Sequence, residues 1–217
     1  MNRREFSVGT TCLLAATAMG LPGMALAQLK KPESGTEYQV LEKRAAVEAP
    51  PGKIEVVEFF WYSCPHCNRF EPQLEAWIKK LPPDVAMRRV PVAFNASFEA
   101  QQRLYYTLEA MGKVDELHGK VFQAIHKEGQ QLNKEDTILS WAEKQGLDKA
   151  RFKDLFNSFM VASKIKRASQ LQEAYRVPGV PALGVAGRYF TDGDLTGNME
   201  RALQVVDFLI GEARKAR

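Results

Sequence analysis

The sequence predicts an α/β domain interrupted by an all-helical insertion. Three observations carry this expectation: a strong strand pattern that ends in a Cys-x-x-Cys pair, a run of amphipathic helical patterns from Asn95 to about Ser169, and a β pattern that returns at Pro181 before a closing helix.

The elements follow in order. Gln28 to Thr36 is polar and reads as a flexible lead-in, and Tyr38 to Leu41 as a short edge strand. Pro50-Pro51-Gly52 marks a turn before the strand Lys53 to Tyr62, rich in Val, Ile and aromatics. Phe70, Leu74, Trp77, Ile78 and Leu81 recur at helical spacing until Pro82-Pro83-Asp84 stops them, and Val85 to Val92 reads as a second strand. The helical block then comprises Phe98 to Met111, Val114 to Lys127 and Asp136 to Gln145, the last stopped by Gly146. A fourth helix is N-capped by Asp148 and carries Phe152, Phe156 and Phe159 on one face; a fifth runs from about Val161 to Arg176. Pro181 to Phe190 reads as a hairpin arm before a turn at Thr191-Asp192-Gly193-Asp194, and Met199 to Ala213 as the final amphipathic helix.

Composition bounds the function. The chain has 217 residues, 45% hydrophobic and 26% charged, enough for one sizeable core. Its net charge of +4 is mild, and the cations are scattered without interleaved aromatics, which argues against a nucleic-acid partner. Residues 1–27 read as a cleaved signal peptide: Arg3-Arg4, an apolar run from Cys12 to Met19, and Ala25-Leu26-Ala27 before the cleavage point. The run is too short for a membrane span. A general secretory signal fits better than twin-arginine export, because Asn2 and Ser7 depart from the latter's pattern. The segment implies export to an oxidising compartment.

Removal of that segment leaves two cysteines, Cys64 and Cys67. A disulfide over so few residues closes almost no loop and staples little. Redox chemistry explains the pair better. At a strand-to-helix junction the free amides of the first turn favour a thiolate at Cys64, while Cys67, one turn in, becomes the buried resolving partner. Pro65 is tolerated in the first turn, and His66 can stabilise the thiolate further. Zinc is the competing reading, but His66 sits between the cysteines, and His118 and His126 lie in the helical block, where they dress a helix face or close a local hydrogen bond. No metal or other cofactor is expected.

Glu58 shares strand parity with Ile54, Val56 and Phe60. It is either a buried carboxylate that passes protons to and from Cys67 or an exposed strand-edge residue, as Glu55 is expected to be. Phe59 to Tyr62 are assigned to the core ahead of a substrate platform. In Val177-Pro178-Gly179-Val180-Pro181-Ala182, Pro181 is a candidate cis-proline, which would bare the Val180 backbone to an extended substrate; a trans turn is the alternative.

Glu58 to Cys67 together with Gly179 to Ala182 resemble the thioredoxin superfamily, and Cys64-Pro65-His66-Cys67 resembles the DsbA family of bacterial periplasmic disulfide-forming proteins. Pro72 matches a proline that kinks the active-site helix of many members. The resemblance spans most of the mature chain. It implies a thioredoxin-like fold in two parts, 28–94 and 169–217, around an inserted helical domain, 95–168. It further implies oxidation of cysteine pairs in newly exported proteins through a mixed disulfide on Cys64, with reoxidation by a DsbB-type quinone-linked membrane protein. Where relatives pair the buried glutamate with a lysine, this chain offers Arg88 or Arg89. A disulfide isomerase or reductase of the same fold is the near alternative; DsbC-type isomerases carry a dimerisation domain for which Gln28 to Gly52 is too short, so a monomer is expected. A periplasmic binding or chaperone protein is the distant one.

Overall fold

The computed structural model describes residues 30–216. Five strands, β1 (Gln39–Val40), β2 (Ile54–Phe60), β3 (Val85–Pro91), β4 (Ala182–Val185) and β5 (Tyr189–Asp192), form one sheet in the order β1-β5-β4-β2-β3. β2 and β3 are parallel, joined across helix α1 (Pro65–Ile78), while β4 and β5 are antiparallel to their neighbours. Between β3 and β4 come α2 (Glu99–Ala110), α3 (Val114–His126), α4 (Glu135–Lys144), α5 (Lys149–Phe156) and α6 (Phe159–Ala174); the short α7 (Gly193–Thr196) and α8 (Met199–Lys215) follow β5. This is a thioredoxin-like α/β fold with a helical insertion. Among the described residues no helix is long and apolar enough to cross a membrane.

Every residue of β2 is buried, because both faces of the sheet are covered. Ile54 and Val56 pack with Phe70 and Leu74 of α1 and with the apolar stripe of α8. Val57 and Phe59 face the other way, into a core shared with α2, α3 and α6. α1 starts directly after β2, so its first turn lies at the end of a strand fixed on both sides.

Several local expectations are met for the stated reasons. Asp148 caps α5 by accepting from the Arg151 amide at 2.6 Å, and Gly146, at φ +81°, follows the end of α4 in the left-handed region that glycine adopts most readily. Four readings are corrected. Glu55 is 2% exposed and not an edge residue, since Arg88 covers it from β3 and the whole strand is buried. Phe159 does not share a face with Phe152 and Phe156: Ser158 accepts from the Val161 amide and starts a new helix, leaving Phe159 88% exposed. The hairpin turns at Ala186-Gly187, both at positive φ, and not at Thr191 to Asp194; Asp192 instead caps α7 by accepting from the Leu195 amide. The lead-in is anchored by its end, where Gly35 N–H donates to the Tyr38 carbonyl at 2.7 Å and Tyr38 packs edge-on against Tyr189. The signal-peptide assignment lies outside the described residues.

Candidate active site

The cysteine pair occupies the end of β2 and the first turn of α1. Cys64 is the N-cap residue, extended at φ −78° and ψ 118°, with Pro65 at the first helical position. Its sulfur accepts from the Cys67 backbone N–H at 3.4 Å, the role an oxygen plays in an ordinary cap. As a thiol it also donates to the Val180 carbonyl at 3.4 Å. Both cysteines are free thiols in the structure.

Their surroundings split the two thiols apart. The neighbouring Cys67 thiol, helped by the backbone amides of Cys67 and His66 and by the nearby His66 ring, outweighs burial and lowers the Cys64 thiol to about 6. Cys67 is wholly buried; burial first, then Cys64 and Glu58, push its thiol far above the usual range. One sulfur is thus a stable anion near neutral pH and the other holds its proton. In exchange chemistry that makes Cys64 the better leaving group from a mixed disulfide, and makes Cys67 dependent on a proton donor when it leaves.

Glu58 is that candidate donor. It is fully buried, and burial followed by the nearby Glu71 charge raises its carboxyl to about 8 despite Arg89. The register explains which arginine it meets: Glu58 stands opposite Arg89 and Val57 opposite Arg88, so Arg89 shares the Glu58 face while Arg88 turns to Glu55 and Glu48. Arg89 Nε lies 3.2 Å from Glu58 Oε2, close enough for an ion pair but not aligned as a hydrogen bond. Its NH2 group reaches Glu71 at 2.8 Å and Glu75 at 2.5 Å, both on α1.

The Val180–Pro181 peptide bond is cis. With His66, Arg69, Phe70 and Gln73 on one side and α7 on the other, these residues line a groove of about 520 Å³ beside the sulfur. His66 is exposed there, its Nδ1 accepting from Arg69 at 2.8 Å. Pro65 faces solvent.

Sequence reasoning missed the side chains that bind the redox loop to the helical insertion. Gln101 of α2 is 2% exposed; its Oε1 accepts from Ser63 N–H at 3.1 Å, and its Nε2 donates to Ser63 Oγ at 2.6 Å and Leu132 O at 3.1 Å. His126 Nε2 donates to the Tyr62 carbonyl at 2.8 Å, and His118 Nδ1 meets the Tyr62 hydroxyl at 2.9 Å. The eight-residue spacing of His118 and His126 was visible, but nothing local pointed it at residues more than fifty positions away.

Strand, cis-proline and helix-capping cysteine together define a thiol–disulfide oxidoreductase of the thioredoxin class. The sequence profile of the DSBA-like thioredoxin domain matches residues 55–204, and the chain belongs to that family. It is 45% identical to the thiol:disulfide interchange protein DsbA of Bordetella pertussis, over 94% of this chain and 97% of that one. It is 40% identical to the protein of that name from Pseudomonas aeruginosa, over 95% and 96%. The crystal structure of Pseudomonas aeruginosa DsbA superposes with a TM-score of 0.81 at 39% identity, covering 85% of this chain and 96% of that one. The oxidoreductase DsbA from Xylella fastidiosa superposes with a TM-score of 0.79 at 30% identity, over 85% and 99%.

Proposed function

We propose that this protein is the dithiol oxidase of its compartment, donating a Cys64–Cys67 disulfide to cysteine pairs of exported proteins. A substrate thiolate attacks Cys64 Sγ, the Cys64–Cys67 bond breaks, and Cys67 leaves with a proton supplied by Glu58. The substrate's second thiolate attacks its own sulfur in the mixed disulfide and expels Cys64 as a thiolate. Two electrons then rest on the cysteine pair, and a DsbB-type quinone-linked membrane protein removes them. Val180 offers its backbone carbonyl to an extended substrate segment beside cis Pro181, while Pro65 and His66 tune the thiolate from the solvent side. The chemistry needs no cofactor of its own.

The single observation that supports this direction is the sulfur of Cys64, held between the Cys67 amide and the Val180 carbonyl while Cys67 stays wholly buried. A thiolate stabilised only in the reduced form favours giving the disulfide away. The periplasm, reached through the signal at residues 1–27, is the matching location, and a monomer the matching state. We place the two thioredoxin-like parts at 28–94 and 169–217 around the inserted domain 95–168, with α6 carrying the insertion's last helix on to Ala174. Ultraviolet thiolate absorbance of the reduced protein tests the reading: Cys64 is expected to titrate near 6, and an ordinary thiol value would overturn the oxidase assignment. Cys64→Ala is expected to abolish oxidation of a dithiol peptide; retained activity would favour a binding or chaperone role.

A further inference from the structure

His118 belongs to the insertion, yet its ring sits among the groups that surround the redox helix. It is 4% exposed and packs edge-on against Phe60 and Phe122. Nδ1 meets the Tyr62 hydroxyl at 2.9 Å, and Nε2 lies 3.5 Å from Glu71 Oε1 on α1 with no hydrogen-bond partner. That geometry selects one tautomer. If Nδ1 carried the proton of a neutral ring, a bare lone pair on Nε2 would face the Glu71 carboxylate. With the Tyr62 hydroxyl donating to Nδ1, the proton sits on Nε2, the nitrogen 3.5 Å from Glu71 Oε1.

Three carboxylates, Glu58 on β2 and Glu71 and Glu75 on α1, share the single guanidinium of Arg89. Among the described residues, the basic side chains beside Glu71 are Arg89, at 2.8 Å, and His118, at 3.5 Å. Whatever His118 supplies to Glu71, Arg89 need not, and among the described residues Arg89 is the cation that stands beside Glu58. The titratable groups facing the ring are Tyr62 from the redox loop, Tyr105 from α2, Glu71 and Glu75 from α1, and Arg89 from β3.

We propose that His118 is a positioning residue for the redox centre: by presenting Nε2–H to Glu71 it leaves the Arg89 charge to Glu58, and so sets the ionisation of the carboxyl beneath Cys67. The proposal rests on the oxidase reading only for the use made of that carboxyl. Burial keeps the ring itself below its ordinary value against the pull of Glu71, consistent with a neutral donor. Burial alone would raise Glu71, but His118 and Arg89 hold it below the usual range.

The test is the reduction potential of the full chain, equilibrated with glutathione across pH, for wild type, His118→Gln, His118→Phe and each in a Glu58→Gln background. Wild type is expected to change slope near the Glu58 value of about 8. His118→Phe should move that break upward by about one pH unit, the size expected when a charged group loses one donor. His118→Gln keeps a donor for Glu71 and an acceptor for Tyr62, and should restore the wild-type break. Neither variant should shift the profile further once Glu58 is gone. If His118→Phe does not fold, Tyr62→Phe frees the tautomer and should move the break in the same direction. An unmoved or lowered break, or a shift that persists in the Glu58→Gln background, overturns the proposal. An ordinary Cys64 thiol in the wild type overturns the oxidase reading instead, because the Glu58 break is read separately.

Discussion

Cys64 and Cys67 are chemically the same side chain, and three residues of sequence separate a thiol lowered to about 6 from one raised beyond the usual range. The difference is position: one caps a helix at the surface of a groove, the other points into the core. Glu58 adds the opposite sign of pH dependence. Its folded value of about 8 exceeds the ordinary 4.5, so the folded state binds an extra proton between those limits. Stability from this group is therefore full below about 4.5 and declines as pH rises towards 8. Glu58→Gln removes that decline, and the variant is expected to exceed the parent at alkaline pH by at most about 5 kcal/mol, with no advantage in acid. Urea unfolding at the two ends of the range checks this; a constant offset would show that the carboxyl does not titrate there.

At the scale of elements, the insertion holds the redox loop as well as covering the sheet. α2 clamps Ser63 through Gln101, and α3 grips Tyr62 at both its carbonyl and its hydroxyl. Gln101→Leu leaves the Ser63 amide and hydroxyl and the Leu132 carbonyl without that partner, a cost of about 2 kcal/mol. The expected signature is loss of hydrogen-exchange protection at the Ser63 amide while α8 keeps its own. Unchanged protection would mean that the loop is held by β2 alone. The contact between β4 and the end of α6 is equally specific: a Cβ on Gly184 would stand 2.4 Å from the Tyr175 ring, so Gly184→Ala should destabilise by about 1–3 kcal/mol, read as a lowered Tm.

For the molecule as a whole, the redox state and the fold share one free energy. The Cys64 thiol is lowered from 9.0 to about 6, so its contribution to the reduced protein is present above about 9 and lost as pH falls through 6. The oxidised protein has no such thiol. The gap between reduced and oxidised denaturation midpoints should therefore shift in favour of the reduced form from pH 6 to 9, by about 2 kcal/mol once solvent screening at the groove is allowed for. A pH-independent gap would separate the thiolate from the oxidising power proposed for the protein.

The sequence by itself determined the centre and its frame. Cys64-Pro65-His66-Cys67 after a β-rich run, the helical block and the late Val180-Pro181 are local patterns, and local patterns survive without coordinates. Asp148 and Gly146 were legible for the same reason, because caps and left-handed turns are written in one or two residues. Tertiary structure alone decided which groups surround the sulfur. Arg89 and not Arg88 faces Glu58 because β2 and β3 pair in one register, and a shift of one residue would have exchanged them. Val180 reaches Cys64 across 116 positions, and Gln101 and His118 meet the redox loop from another part of the chain. Such contacts depend on how elements pack, and the spacing of residues along the chain does not record that.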